Sequence, residues 1–197
     1  LSEDDIGAIC NLLGEHHTDP AVVDADIATY RELAAALADS GLDAGLSVKP
    51  SQVGLELGRD RLAAAIETLV TTTETRIWVD MEDHTTTDDT LDVVTAAMRA
   101  YPSRLGVCIQ ANLQRSEADI HRLAPLPGKV RLVKGAYDEP PTIAIKSKAA
   151  VDERYRSLLE LLFREADDGV AVGSHDPAMI EHAARLADRY GTPYEVQ

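Results

Sequence analysis

The chain has 197 residues, 45% of them hydrophobic, which is enough to bury a core as one large domain or two small ones. Its 34 acidic and 19 basic residues give a formal net charge of −15, and this argues against binding to nucleic acid or anionic lipid, since those polymers are also negative. No window holds the roughly 18 to 20 consecutive apolar residues that a membrane-spanning helix needs.

Seven short apolar runs are predicted to be β-strands, at 6–12, 44–49, 75–80, 105–113, 129–135, 169–174 and 193–197. Between them, apolar residues recur three and four positions apart, which is the period of an amphipathic helix. The six predicted helices cover 23–37, 59–71, 88–101, 116–123, 149–167 and 179–190. Asp176 is placed to cap the last of them.

Strict alternation of strands and helices predicts a parallel sheet, since each strand needs a helical crossover to return its successor in the same direction. A (β/α)8 barrel takes about 250 residues, so this chain is about one unit short. An open nucleotide-binding sheet would carry a glycine-rich phosphate loop, and neither G-x-G-x-x-G nor G-x-x-x-x-G-K-[S/T] occurs. We therefore predict an α/β fold, an incomplete (β/α)8 barrel forming a single domain over 1–197.

Polar side chains cluster where the predicted strands end. They are Glu15, Lys49, Asp80, Glu82, Gln110, Asn112, Arg131, Lys134, Tyr137, Ser174, His175, Glu195 and Gln197. The carboxyl ends of barrel strands form the face where barrel enzymes keep their chemistry, so these side chains are the candidate functional residues.

The strongest local signal is the segment K-V-R-L-V-K-G-A-Y at 129–137. Two cations in an apolar strand are costly to desolvate, so Arg131 and Lys134 are predicted to have anionic partners. A ligand phosphate or an electron-rich ring would serve. Protein carboxylates such as Asp80, Glu82 or Glu195 would serve equally, and the sequence leaves both possibilities open.

The second signal is V-D-M-E-D at 79–83, with Lys49 one strand away. A carboxylate beside a lysine keeps both charged and can orient a substrate, whereas a desolvated lysine could form a Schiff base. A purely structural ion pair is the third possibility. The run of threonines and aspartates that follows is predicted to be a solvated loop that caps the helix beginning at 88.

No metal site is predicted, since H-E-x-x-H, C-x-x-C and H-x-H patterns do not occur. His16 and His17 are adjacent, so they point in different directions and are expected to be solvated loop residues. Cys10 and Cys108 lie in apolar runs and are expected to be small hydrophobic residues rather than a disulfide or a nucleophile.

Six motifs occur in an order and spacing that resemble proline dehydrogenase, the FAD-dependent barrel enzyme of proline catabolism. They are L-S-V-K-P-S-Q-V-G (46–54), V-D-M-E-D (79–83), Y-P-S-R-L-G-V-C-I-Q-A-N-L-Q-R (101–115), R-L-V-K-G-A-Y-D-E-P (131–140), S-H-D (174–176) and Y-E-V-Q (194–197). The resemblance spans nearly the whole chain, and R-L-V-K-G-A-Y after an I-Q-A strand is its most specific part. The form is similar to a stand-alone bacterial or archaeal enzyme.

The resemblance implies that FAD oxidises L-proline to Δ1-pyrroline-5-carboxylate, with hydride passing from the proline C5 to the flavin N5 and electrons then passing to a membrane quinone. It implies a cofactor set of Gln110 and Arg131 at the flavin ring, Lys134 at the ribityl or phosphate region, and Ser174 and His175 along the tail. It implies a catalytic set of Lys49, Asp80, Arg131 and Tyr137. The expected location is the cytoplasm, with the full-length enzyme peripheral to the inner face of the membrane.

The family's substrate carboxylate is held by an arginine pair on the last barrel helix, which this sequence does not contain, and the helices that usually precede the first strand in the family are missing too. The resemblance thus implies a barrel truncated at both ends, and we expect the 197 residues alone to be inactive. Two other interpretations of the residues stay open: a Schiff-base enzyme of the class I aldolase type using Lys49 or Lys134, and a non-catalytic acidic barrel fragment or subunit. The surface chemistry, with 20 Asp but only 5 Lys, also predicts adaptation to high salt.

Overall fold

The computed structural model describes residues 6–197. The chain divides into two compact units, with the boundary between Gly106 and Val107 inside the fourth strand. The predicted single domain stays a prediction, and the two units are described one at a time.

The elements alternate as the sequence predicts, with seven strands and six α-helices in the described part of the chain. Their bounds are β1 (Ala8–Cys10), α1 (Pro20–Ser40), β2 (Ala44–Val48), α2 (Arg59–Thr72), β3 (Ile77–Val79), α3 (His84–Ala100), β4 (Leu105–Gln110), α4 (Ser116–Leu123), β5 (Lys129–Val133), α5 (Lys148–Glu165), β6 (Val170–Gly173), α6 (Pro177–Tyr190) and β7 (Tyr194–Val196). One turn of 3₁₀ helix, Leu55–Leu57, precedes α2.

In the first unit, β1, β2 and β3 pair in parallel and in chain order. The interiors of β2 and β3 are buried, because their apolar side chains lose contact with water when the helices cover the sheet. α1 contributes a buried stripe of Val23, Ile27, Tyr30 and Ala34 at helical spacing. Asp19 caps this helix: its side chain accepts the Ala21 N–H at 2.9 Å.

The prediction of a solvated loop ahead of residue 88 is wrong, because α3 already begins at His84. Asp83 caps this helix by accepting the Thr85 N–H at 2.8 Å. Burial acts to raise the pKa of Asp83, but hydrogen bonds from Thr85 outweigh it and leave the pKa below its usual value. Thr87 and Thr90 are buried on the inner face of the helix, so packing overrides the weak helix propensity of threonine.

In the second unit, β5, β6 and β7 pair in parallel, again in chain order. β5 alternates strictly: Val130 and Leu132 are buried, whereas Lys129 and Arg131 are half-buried on the opposite face. Tyr155 of α5 donates its hydroxyl to the Leu132 carbonyl at 3.0 Å, which ties the helix to the strand. Asp176 caps α6 as predicted, accepting the Ala178 N–H at 3.1 Å.

Within the described residues, no helix combines the length and the apolar character needed to cross a membrane.

Candidate functional site

The candidate residues form one cluster in each unit. The lysine–carboxylate cluster of the first unit consists of Lys49, Asp80, Glu15 and Ser47. The β5 cluster of the second unit consists of Gln110, Arg131, Lys134, Ser174 and His175, together with the side chains that bind them.

Lys49 and Asp80 lie side by side at the carboxyl edge of the sheet in the first unit. Each follows a member of the register pair Val48 and Val79, and the Asp80 N–H donates to the Val48 carbonyl at 2.9 Å. Lys49 Nζ lies 3.4 Å from Glu15 Oε1. The structure therefore brings together three of the residues that the sequence places at strand ends.

Two serines flank Lys49 and bind the two carboxylates of the next strand end. The Ser47 hydroxyl donates to Asp80 Oδ1 at 2.6 Å. Ser51 donates its hydroxyl to Glu82 Oε1 at 2.6 Å and its N–H to Glu82 Oε2 at 2.7 Å. Neither serine is predicted from the sequence to belong to the site. The pattern S-x-K-x-S at the end of one strand, opposite D-x-E at the end of its neighbour, is a signal that could have identified both.

Glu82 is only 1% exposed, so the two hydrogen bonds from Ser51 satisfy carboxyl oxygens that water does not reach. Asp80, in contrast, is half-buried. Of the two carboxylates, Asp80 is therefore the one that a ligand can reach.

A buried polar network lies behind this cluster. The Tyr30 hydroxyl is 3.1 Å from both the Ser47 carbonyl and Gln52 Oε1, and it accepts the Leu12 N–H at 3.1 Å. Burial raises the pKa of Tyr30 to about 12, so the hydroxyl keeps its proton as a donor. Gln52 in turn donates to Asp26 at 3.0 Å.

The two neighbouring histidines differ in environment. His16 is exposed, as predicted, and lies 2.8 Å from Glu56. His17 is half-buried against Asp26, at 3.0 Å, so the expectation of a solvated residue is wrong for it.

In the β5 cluster, long polar side chains of β5 pass across β6 and form hydrogen bonds with side chains at the end of β7. Arg131 Nη1 donates to Gln197 Oε1 at 2.9 Å, and Lys129 Nζ donates to Glu195 Oε2 at 3.1 Å. The strand between them contributes Ala171, which is in register with both Arg131 and Glu195. Its small side chain leaves room for the flanking ones to reach each other.

Lys134 follows β5 and lies between two carboxylates. Its Nζ is 2.6 Å from Asp152 Oδ1 and 2.8 Å from Asp176 Oδ2. Burial acts to lower the pKa of Lys134, but the hydrogen bonds to Asp152 and Asp176 outweigh it, and the pKa lies above its ordinary value. Neither acid is one of the three carboxylates that the sequence offers as partners for Arg131 and Lys134. Of those three, Glu195 pairs with Lys129.

The turn after β5 packs tightly against the end of β4. Gly135 has φ +111°, and a Cβ there would lie 2.1 Å from Asn112 Oδ1. That oxygen is buried without a hydrogen-bond partner. Gln110 is also buried, and its Oε1 accepts the Ala136 N–H at 3.4 Å. Tyr137 follows in the same segment and is half-buried.

Ser174 and His175 lie at the carboxyl end of β6, as predicted. Ser174 is half-buried and its Oγ accepts the Asp176 N–H at 3.2 Å, whereas His175 is exposed. Asp176 therefore joins the start of α6 to Lys134, a role beyond the cap that the sequence predicts.

The two clusters suit different ligands. The lysine–carboxylate cluster offers a cation beside carboxylates, which complements a small molecule that carries both charges. The β5 cluster offers cations, a hydroxyl, an imidazole and buried carboxamides, a donor set suited to phosphate and to an electron-rich ring. Within residues 6–197, no three or more His, Cys, Asp or Glu side chains are grouped so as to hold a metal ion.

The sequence model of the proline dehydrogenase family matches residues 1–197 of this chain. Among curated proteins, the chain is 32% identical over 162 residues to proline dehydrogenase 2 of Bacillus subtilis (strain 168), covering 80% of this chain and 52% of that protein. It is 31% identical over 198 residues to proline dehydrogenase of Deinococcus radiodurans, covering 97% of this chain and 64% of that one. The chain thus spans between half and two-thirds of these relatives.

Among solved structures, proline utilization A (PutA) from Bdellovibrio bacteriovorus, inactivated by N-propargylglycine, matches with a TM-score of 0.85 and 21% identity, over 100% of this chain and 26% of that one. PutA from Corynebacterium freiburgense matches with a TM-score of 0.84 and 19% identity, over 99% of this chain and 24% of that one. This likeness confirms the fold class that the sequence predicts, an incomplete (β/α)8-type chain of seven strands and six helices.

Proposed function

The chain belongs to the proline dehydrogenase family, and from this premise we propose that the full-length protein oxidises L-proline to Δ1-pyrroline-5-carboxylate with FAD as cofactor and a quinone as final electron acceptor. The observation that carries the proposal is the half-buried guanidinium of Arg131, hydrogen-bonded to the Gln197 carboxamide on the polar face of β5. A guanidinium held in this way stabilises negative charge on a neighbouring ring.

The residues of the β5 cluster fit FAD. The Asn112 carboxamide oxygen is buried and lacks a partner, and Gly135 approaches it so closely that no side chain fits between them. A buried oxygen without a partner is a group that a bound ligand can satisfy, and the lack of a side chain at Gly135 lets the backbone approach it. An ammonium group donates three hydrogen bonds, and Lys134 gives two of them to Asp152 and Asp176. The third can reach a ribityl or phosphate oxygen.

We assign Gln110 and Arg131 to the flavin ring, Lys134 to the ribityl or phosphate region, and Ser174 and His175 to the tail of the cofactor. When bound, the flavin supplies a group that accepts hydride, and no amino-acid side chain can accept hydride. The protein contributes orientation and fixed charge.

The lysine–carboxylate cluster is the proposed substrate site. Proline carries a secondary ammonium, which Asp80 is placed to meet, and Lys49 is assigned as the polar partner of Asp80 beside the substrate. The catalytic role of Tyr137, which lies in the second unit, stays a prediction. A carboxylate fixed beside the substrate ammonium would limit the orientation of the ring, which is how binding energy is converted into rate.

Arg131→Met tests this assignment. We expect the full-length variant to lose most of its bound flavin, measured by absorbance at about 450 nm, and most of its proline turnover, because the thioether keeps much of the bulk but not the charge. Arg156→Met removes an exposed arginine from α5 and is the matched control. Wild-type flavin content and rate in Arg131→Met would show the assignment to be wrong.

The Schiff-base alternative is disfavoured for Lys134. A lysine must lose its proton to attack a carbonyl, and carboxylates hold the pKa of Lys134 above its ordinary value. Borohydride trapping of a carbonyl compound on Lys49 or Lys134, in protein without flavin, would reverse this preference. A protein with neither flavin nor a trapped adduct would support the non-catalytic alternative.

A further inference from the structure

We propose that Ser47 is a positioning residue of the substrate site: its hydroxyl orients the Asp80 carboxylate that is to meet the substrate. The inference rests on the proposed function, and it deepens that function by adding a residue to the site. Ser47 is 5% exposed and donates to Asp80 Oδ1 at 2.6 Å. A short bond from a neutral donor to a carboxylate is among the stronger hydrogen bonds that proteins make.

The strand register places Ser47 on the face that carries the candidate site. Side chains alternate along a strand, so Ser47 and Lys49, two positions apart, lie on one face of the sheet. Ser47 is in register with Trp78 on β3, and Asp80 follows Trp78 by two positions, so it shares that face. Ser47 thus reaches Asp80 diagonally across the strand pair, one step behind Lys49.

The donor itself is firmly held. The backbone of β2 pairs with β1 on one side and β3 on the other. The Ser47 carbonyl lies 3.1 Å from the hydroxyl of Tyr30, a fully buried side chain. Serine has a single side-chain torsion between its backbone and its hydroxyl, so little freedom is lost when it binds a carboxylate. A donor fixed in this way limits the rotation of Asp80.

Ser51 makes the same kind of hydrogen bond to a carboxylate as Ser47, but its role is structural. It also bonds a carboxylate of the β3 end, but that carboxylate, Glu82, is 1% exposed and receives both the hydroxyl and the N–H of Ser51. Ser51 is itself fully buried. Loss of its hydroxyl should weaken the fold, whereas loss of the Ser47 hydroxyl should act on the substrate.

The test compares Ser47→Ala, Ser47→Thr and Ser51→Ala in the full-length, flavin-loaded protein. We expect Ser47→Ala to lower kcat/KM for proline about tenfold, as loss of one hydrogen bond to a charged group does. Ser47→Thr keeps the hydroxyl and should restore most of the loss. Ser51→Ala should lower Tm by at least as much as Ser47→Ala while leaving kcat/KM within about twofold of wild type.

A second comparison shows whether Ser47 acts through Asp80. In an Asp80→Asn background, adding Ser47→Ala should change kcat/KM less than about twofold, because the charge that Ser47 orients is gone. The same tenfold loss in both backgrounds would overturn the proposal. So would a Ser47→Thr variant that keeps the wild-type Tm and yet is as slow as Ser47→Ala.

A structural readout separates this inference from the proposed function. If the wild-type protein does not oxidise proline, the proposed function fails, and the positioning role is then decided by crystal structures of wild type and Ser47→Ala. A changed side-chain torsion of Asp80 in the variant supports the role of Ser47. An Asp80 carboxylate in the wild-type orientation overturns it.

Discussion

Asp152 lies between two ammonium groups, and its ionisation is therefore linked to the stability of the second unit. Hydrogen bonds from Lys134 and then Lys148, both at 2.6 Å, lower its pKa to about 2. A carboxyl group with a lowered pKa stabilises the fold at every pH above its unfolded pKa of about 3.9. That contribution is lost as the pH falls from about 4 through about 2.

Asp152→Asn should lower the urea midpoint of unfolding at pH 6, where the charged carboxylate matters. The difference from wild type should shrink as the pH is lowered from about 4 towards 2, because wild-type Asp152 then becomes protonated and loses the same ion pairs. Asp138→Asn is the control, since that carboxylate pairs with Lys146 but is fully exposed, and exposed pairs contribute little. A difference that stays constant between pH 6 and pH 2.5 would contradict this account.

The sequence predicts some side chains of the site but not others. Lys49 and Asp80 could be predicted because strand ends of a parallel sheet meet at one edge. Asp152 could not, because it lies on α5 and its approach to Lys134 depends on how that helix packs on β5. Residue spacing does not encode such contacts.

At the scale of elements, periodicity correctly predicts the type and order of the helices and strands, while their ends depend on local contacts. α3 begins at His84 because Asp83 caps it and because Thr87 and Thr90, in its first two turns, are buried. Propensity alone disfavours a helix there. The predicted strands are also longer than the observed ones: β3 is Ile77–Val79, against a prediction of 75–80, and the residues outside it, Thr75, Arg76 and Asp80, are polar.

The turn that ends β5 should not tolerate a side chain at position 135. Gly135→Ala meets both a backbone conformation that L residues rarely adopt and a collision with Asn112, whereas Gly41→Ala meets only a left-handed φ in open space. We expect a loss of about 1 kcal/mol for Gly41→Ala and about 3 kcal/mol for Gly135→Ala in the free energy of unfolding. Urea titration measures both.

Truncating the neighbouring side chain provides the check on that explanation. Asn112→Ala should recover part of the loss in Gly135→Ala, because it removes the atoms that a Cβ would meet. If the two losses simply add, the collision is not the cause.

For the molecule as a whole, the net charge of −15 predicts a stability that depends on salt. Repulsion between like charges destabilises a compact state, and salt shortens its range from about 30 Å at 0.01 M to about 3 Å at 1 M. We expect Tm to rise by several degrees between 0.05 M and about 2 M KCl. Sucrose is the control, because it raises Tm without screening charge. The rise in Tm with KCl is compared with the rise that sucrose gives. A Tm that does not change with KCl would remove the prediction of salt adaptation.

The short side chain of Ala171 constrains how the β5 cluster can change. Neighbouring strands lie about 4.8 Å apart, so Arg131 and Gln197, on strands two apart, touch only by arching over β6. Enlarging residue 171 would push these two side chains apart, although residue 171 is not itself part of the hydrogen bond. Substitutions at this position should therefore be limited to glycine and serine if the bond between Arg131 and Gln197 is to be kept.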